Sequence, residues 1–81
     1  MRLFGYSTET GEIKSPVLGE LKEVTLVAAP SELRAIAEFL LKCADGIEKS
    51  GERWEHEHLS DRSRGFEQSP QFVVFNPDRA S

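Results

Sequence analysis

The stretch Pro30-Ser31-Glu32-Leu33-Arg34-Ala35-Ile36-Ala37-Glu38-Phe39-Leu40-Leu41-Lys42-Cys43-Ala44-Asp45-Gly46-Ile47-Glu48-Lys49 decides the fold. Pro30 suits the first position of a helix, because its missing N–H would find no intrahelical partner there. Glu32 falls in the first turn, where its charge meets the positive end of the helix dipole. Leu33, Ile36, Ala37, Leu40, Leu41, Ala44 and Ile47 recur at helical spacing and form one broad apolar stripe. Phe39 and Cys43 widen it on one flank. Arg34 and Glu38, and Glu38 and Lys42, oppose each other at i,i+4 on the solvated side. Gly46 weakens the final turns by about 1 kcal/mol relative to alanine, and Gly51 is a natural terminator. The spacing predicts a helix over 30–49.

Before this helix, Leu3 to Tyr6 reads as a short strand with Phe4 and Tyr6 on one face. Ser7 to Gly19 is polar and turn-rich, a loop with a short paired piece around Glu12-Ile13. Glu20 to Ala28 alternates, with Val24, Leu26 and Ala28 on one face, as a half-buried strand should. After the helix, Trp54, His56 and His58 alternate with Glu55 and Glu57, which suits another short strand. Ser60 to Gly65 is charged and turn-like. Phe72-Val73-Val74-Phe75 is apolar on both faces and predicts a central strand covered on each side, ended by Pro77. This order implies an α+β fold in which a single amphipathic helix packs on a small, mostly antiparallel sheet of three to four strands. We expect one domain over 1–81 with its ordered core at about 2–77.

A chain of 81 residues buries only about 60–65% of the surface its unfolded form exposes. Cys43 is the only cysteine, so no disulfide can form within the monomer and a reducing compartment is implied. No signal peptide is visible, since Met1-Arg2-Leu3-Phe4-Gly5-Tyr6 turns polar at Ser7 before a hydrophobic region develops. The apolar stretches are too short to cross a bilayer. These features lead us to expect a cytoplasmic protein without membrane contact. Fourteen acids against ten bases give a net charge of −4. That is the opposite of the basic footprint that phosphate recognition needs, which argues against a nucleic-acid partner.

The sharpest local constellation is Glu55-His56-Glu57-His58, followed by Asp61. In an extended segment the two histidines point the same way, roughly 7 Å apart. Two imidazoles and a carboxylate could ligate a divalent transition metal. The spacing argues against it: familiar zinc motifs place two histidines one helical turn apart, and this chain has no third histidine. His56, His58 and Asp61 therefore stand as metal candidates behind a plainer reading, in which they make hydrogen bonds or a polar contact surface. No cofactor is expected. Gly5, Gly11 and Gly19 are scattered and form no phosphate loop, no particular pair of carboxylates is brought together for acid–base work, and Cys43 on the apolar flank reads as an inert packing residue. Trp54 stands among Glu52, Glu55, Glu57 and Asp61, with Arg53 the one base inside 52–61. An aromatic anchor with an acidic rim suits a basic protein partner. Equally, Trp54 could cap the small core beneath the end of the helix.

The run Glu23-Val24-Thr25-Leu26-Val27 with Pro30 to Leu40, the segment His56-Glu57-His58-Leu59-Ser60-Asp61, and Phe66-Glu67-Gln68-Ser69-Pro70 through Asn76-Pro77 together resemble the immunity protein 32 group. These are small bacterial immunity proteins encoded beside polymorphic toxins. The resemblance covers about residues 20–77. One departure is Ala29, where the family pattern places a serine before the helix-opening proline; losing that capping oxygen costs about 1 kcal/mol. What the resemblance implies is a non-enzymatic protein that binds a cognate toxin and blocks it by stoichiometric inhibition. Its expected contacts are Trp54, Glu55, His56, Glu57, His58 and Asp61. The alternatives are a small metal-binding protein using the His-Glu-His segment, or a homodimeric accessory protein joined through an uncovered sheet face.

Overall fold

A computed structural model describes residues 1–7 and 19–79. The elements run β1 (Arg2–Ser7), β2 (Leu21–Val27), α1 (Pro30–Ser50), a 3-10 turn (Gly51–Arg53), β3 (His56–His58), α2 (Leu59–Arg62) and β4 (Val73–Phe75). The fold is α+β, with one main helix and small antiparallel sheets. The strands form two separate pairs, β1–β2 and β3–β4, with no single sheet spanning them. The paired piece expected at Glu12-Ile13 lies outside the described residues.

Helix α1 begins and ends as its sequence dictates. Ala29 offers no side-chain cap, but Glu32 reaches back so that its Oε1 accepts the Ala29 N–H at 2.9 Å. This is the carboxylate half of a capping box. The other oxygen of Glu32 accepts a hydrogen bond from the Met1 ammonium at 2.8 Å, which ties the start of β1 to the helix. Both contacts, the ammonium first, hold the Glu32 carboxyl below its ordinary range. At the far end Gly51 takes a φ of 56°, a left-handed value that suits glycine, and donates its N–H to the Ile47 carbonyl.

The helix is turned relative to its expected orientation. Its buried positions are Ile36, Phe39 and Cys43, so the two residues placed on a flank are in fact at the centre of the covered face. Leu33, Leu40 and Leu41 remain 45%, 42% and 67% exposed. The reason is the size of what covers the helix: a short β-pair, one helical turn and a loop cannot reach around a stripe this broad. Leu59 and Phe66 complete the buried cluster, and Leu26, Trp54, Phe72 and Val74 pack against it. Phe39 meets Phe72 edge to face, with ring centroids 6.5 Å apart.

In the first hairpin, Leu3 pairs with Leu26 and both are half-buried, Leu26 packing against the core. Phe4, Tyr6, Val24 and Val27 are exposed. The Arg2 guanidinium sits 4.8 Å over the Phe4 ring. In the second pair His56 faces Phe75, Glu57 faces Val74 and His58 faces Val73. The ladder runs on at both ends, through Leu59 N–H to the Phe72 carbonyl (2.9 Å) and Asn76 N–H to the Glu55 carbonyl (2.8 Å). The segment 72–75, expected to be a central strand, is one strand of a pair, and Phe75 is 47% exposed. Its apolar run is spent partly on the core and partly on stacking with His56.

Asn76 is fully buried. Its Nδ2 donates to the Gly51 carbonyl (3.0 Å) and the Trp54 carbonyl (2.9 Å), and its Oδ1 accepts the Asp78 N–H (3.0 Å). The side chain thus closes the end of α1 onto the end of β4. Among the described residues no buried side-chain polar atom lacks a partner. Asn76→Ala removes three hydrogen bonds, to the Gly51 and Trp54 carbonyls and from the Asp78 N–H, a loss of about 2–4 kcal/mol. Urea unfolding is expected to show a lower midpoint with an unchanged slope.

Gly46 has a specific neighbour that explains a glycine inside a helix. A Cβ there would lie 2.6 Å from Trp54 Nε1 and 2.9 Å from Cδ1. Gly46→Ala gains about 1 kcal/mol in helix propensity but overpacks the indole, which costs about 1–3 kcal/mol. The variant is expected to be less stable than the parent, and the emission of the single tryptophan should shift to longer wavelength as the ring is pushed outward. A more stable variant with unchanged emission would contradict the packing described.

Candidate partner-binding site

Strand β3 is short, but its alternation sorts the candidate residues onto two faces. Glu57 points toward α1. His56 and His58 point away from it, onto the surface shared with β4.

On the α1 side lies a cleft of about 370 Å³. Helix α1 supplies Ala35, Glu38, Phe39, Lys42 and Cys43 to one wall, and Trp54, Glu57, Arg62 and Ser63 form the other. Phe39 and Cys43 are buried in its floor, and Trp54 is half-buried beside them. Arg62 donates to Glu57 at 3.1 Å; the Glu57 side chain is 23% exposed and that of Arg62 65%. The ion pair holds the Arg62 guanidinium even more firmly protonated. Burial pushes the Cys43 thiol up, and the neighbouring Glu57 charge adds to this while Arg62 opposes it. Cys43 is therefore a protonated packing group, as its place in the helix predicts.

Trp54 caps the core beneath the end of the helix, as one of its two readings expected. Its ring lies on Gly46 and packs against the core, and its other side faces the cleft. What orients it is the Asn76 side chain, which holds the Trp54 carbonyl, together with the Trp54 N–H bonded to the Gly51 carbonyl at 3.0 Å.

On the other face His56 stacks on Phe75, with centroids 4.8 Å apart and planes 23° from parallel, and meets His58 edge to face at 5.3 Å. His56 Nδ1 lies 3.0 Å from Glu55 Oε1, and His58 Nδ1 lies 3.2 Å from Gln71 Oε1. Asp61 is exposed on α2 and does not line the cleft. Among the described residues no three His, Cys, Asp or Glu side chains are gathered as a metal site requires. His56, His58 and Asp61 are therefore not assembled into one.

The acidic rim expected from 52–61 is largely offset by bases that sequence proximity did not reveal. Arg79 donates to Glu55 at 2.9 Å, and Arg62 neutralises Glu57. Glu38 and Lys42, read from spacing as a solvated pair, turn out to edge the cleft. No sequence signal marks Arg79. Arg62 lies just past the acidic segment, and only the turn of α2 brings it back to Glu57.

The residues lining the cleft lie within the span that matches a known family. The profile of the immunity protein 32 family matches residues 23–77. The chain belongs to that family. The matched span runs from β2 through α1 and both walls of the cleft to the residue after Asn76. Comparison with curated proteins and with solved structures gives no match. No helix among the described residues is long and apolar enough to cross a membrane.

Arg79 first, and His56 second, hold the Glu55 carboxyl below its ordinary range. A carboxylate with a lowered folded-state pKa stabilises the fold above its unfolded-state pKa, and that contribution disappears as pH falls through the lowered value. In a carbon-13 NMR titration the Glu55 midpoint is expected below the ordinary glutamate value. Arg79→Ala should move its midpoint upward, and an unmoved midpoint would contradict the ion pair.

Proposed function

We propose that this protein is a bacterial immunity protein that binds and neutralises a cognate toxin of a polymorphic toxin system, as a stoichiometric inhibitor acting in the cytoplasm. Membership of the immunity protein 32 family over residues 23–77 carries the reading. The geometry supports a place for the contact. The cleft between α1 and residues 54–63 has an apolar floor and charges of both signs on its rim, so it can seat an apolar anchor while Glu38, Lys42, Glu57 and Arg62 select the groups around it. Of the residues expected from sequence to meet the toxin, Trp54 and Glu57 line this cleft. Glu55, His56 and His58 form the neighbouring face around Phe75, and Asp61 lies on the exposed side of α2. The inhibitor has no chemistry to perform in this reading, and its contribution is complementarity to one partner.

Because Trp54 also supports the core, its truncation confounds folding with binding. The rim charges give the cleaner test. Co-expression of the protein with the toxin module encoded beside it should protect the cell, and the two should co-purify at one to one. Lys42→Glu combined with Glu57→Lys is expected to weaken binding at least tenfold while the far-ultraviolet circular dichroism is unchanged. Full protection by that variant would remove the cleft from the interface, and absence of binding by the parent protein would overturn the role.

A further inference from the structure

A second surface lies on the other side of α1. At 3.6 residues per turn, Ala37, Leu40, Leu41 and Ala44 surround a direction roughly 120° from that of Ile36, Phe39 and Cys43, and the cleft lies on the opposite flank. All four are exposed, with Leu41 at 67%. The seam is large–small patterned, with two leucines at its centre and an alanine one turn to either side, which permits close approach of another helix.

The charges beside the seam are self-complementary. Arg34 and Glu48 lie on the same flank as Leu41, each seven residues away from it in opposite directions. Neither makes an ion pair with a described residue of its own chain. In an antiparallel pair related by a twofold axis at Leu41, Arg34 comes opposite Glu48 at both ends, and Ala37 of one copy lies within one residue of Ala44 of the other. A parallel pair would set like charges side by side.

We infer that this flank of α1 is the interface of a homodimer, an antiparallel helix pair centred on Leu40 and Leu41. The occupant is a second copy of this chain, because the seam's sizes and charges complement themselves under a twofold rotation. The proposal is independent of toxin binding. It also leaves the cleft free on each copy, so that the dimer presents two clefts facing outward.

Sedimentation equilibrium of the full chain, across micromolar to millimolar concentrations, is expected to give twice the chain mass. Leu41→Glu places two carboxylates on the axis and should raise the dimer dissociation constant roughly a hundredfold or more. Its circular dichroism should match the parent, since the residue packs against nothing it would unseat. Arg34→Glu should weaken the dimer roughly tenfold, and Arg34→Glu with Glu48→Arg should restore it. A parent chain that is monomeric throughout would overturn the proposal. So would a dimer indifferent to Leu41→Glu, which would place the contact on the β1–β2 hairpin instead. A double charge reversal that fails to recover the dimer would overturn the antiparallel pairing.

Discussion

The carboxamide of Asn76 is the contact on which the second half of the molecule depends. It is fully buried, and it binds the carbonyls of Gly51 and Trp54 while accepting the Asp78 N–H. A buried amide with its donors and acceptor satisfied is both stabilising and specific, because a shift in register would leave several polar groups unpaired at once. Here it fixes the turn after α1, the start of β3 and the end of β4 in one step. The register of β3 against β4 follows, and so does the angle at which Trp54 leaves the backbone.

From that anchor the cleft is built by steric necessity. The indole lies over α1, where Gly46 makes the room. Glu57 then faces the helix and meets Arg62 returning from α2. The geometry gives an apolar floor lined by groups that cannot ionise easily, under a rim that is charged but nearly balanced. As the toxin contact we propose, a rim of this kind would add little to raw affinity and much to discrimination between partners.

The core itself is small. Among the described residues five hydrophobic ones are buried, while nine large ones are substantially exposed. An isolated two-stranded hairpin is marginal in water, and β1–β2 is held to the rest by Leu26, Met1 and the Met1–Glu32 contact. An apolar surface of this extent on a short chain is characteristic of proteins whose surfaces are completed by association. On α1 the exposed part of it is Leu33, Leu40 and Leu41, away from the cleft; the rest lies on β1, β2 and β4.

Local chemistry was readable directly from the residues. Pro30, Glu32 and Gly51 determine where α1 begins and ends, because capping involves only near neighbours in the chain. The alternation around His56 and His58 put them on one face for the same reason, and the segments quoted for the family resemblance fall within the matched span. Which part of the helix would be covered was not readable. Periodicity reports how wide an apolar stripe is, but its covered portion depends on how much chain is left to lie on it, and here Phe39 and Cys43 were chosen over Leu40 and Leu41. The balance of charge at the site was equally hidden, since Arg79 and Glu55 are far apart in sequence and meet only once Asn76 has closed the strand. The sequence by itself determined the local elements and the family; tertiary structure decided burial, strand grouping and ion pairing, because each of these depends on contacts between distant segments competing for the same small surface.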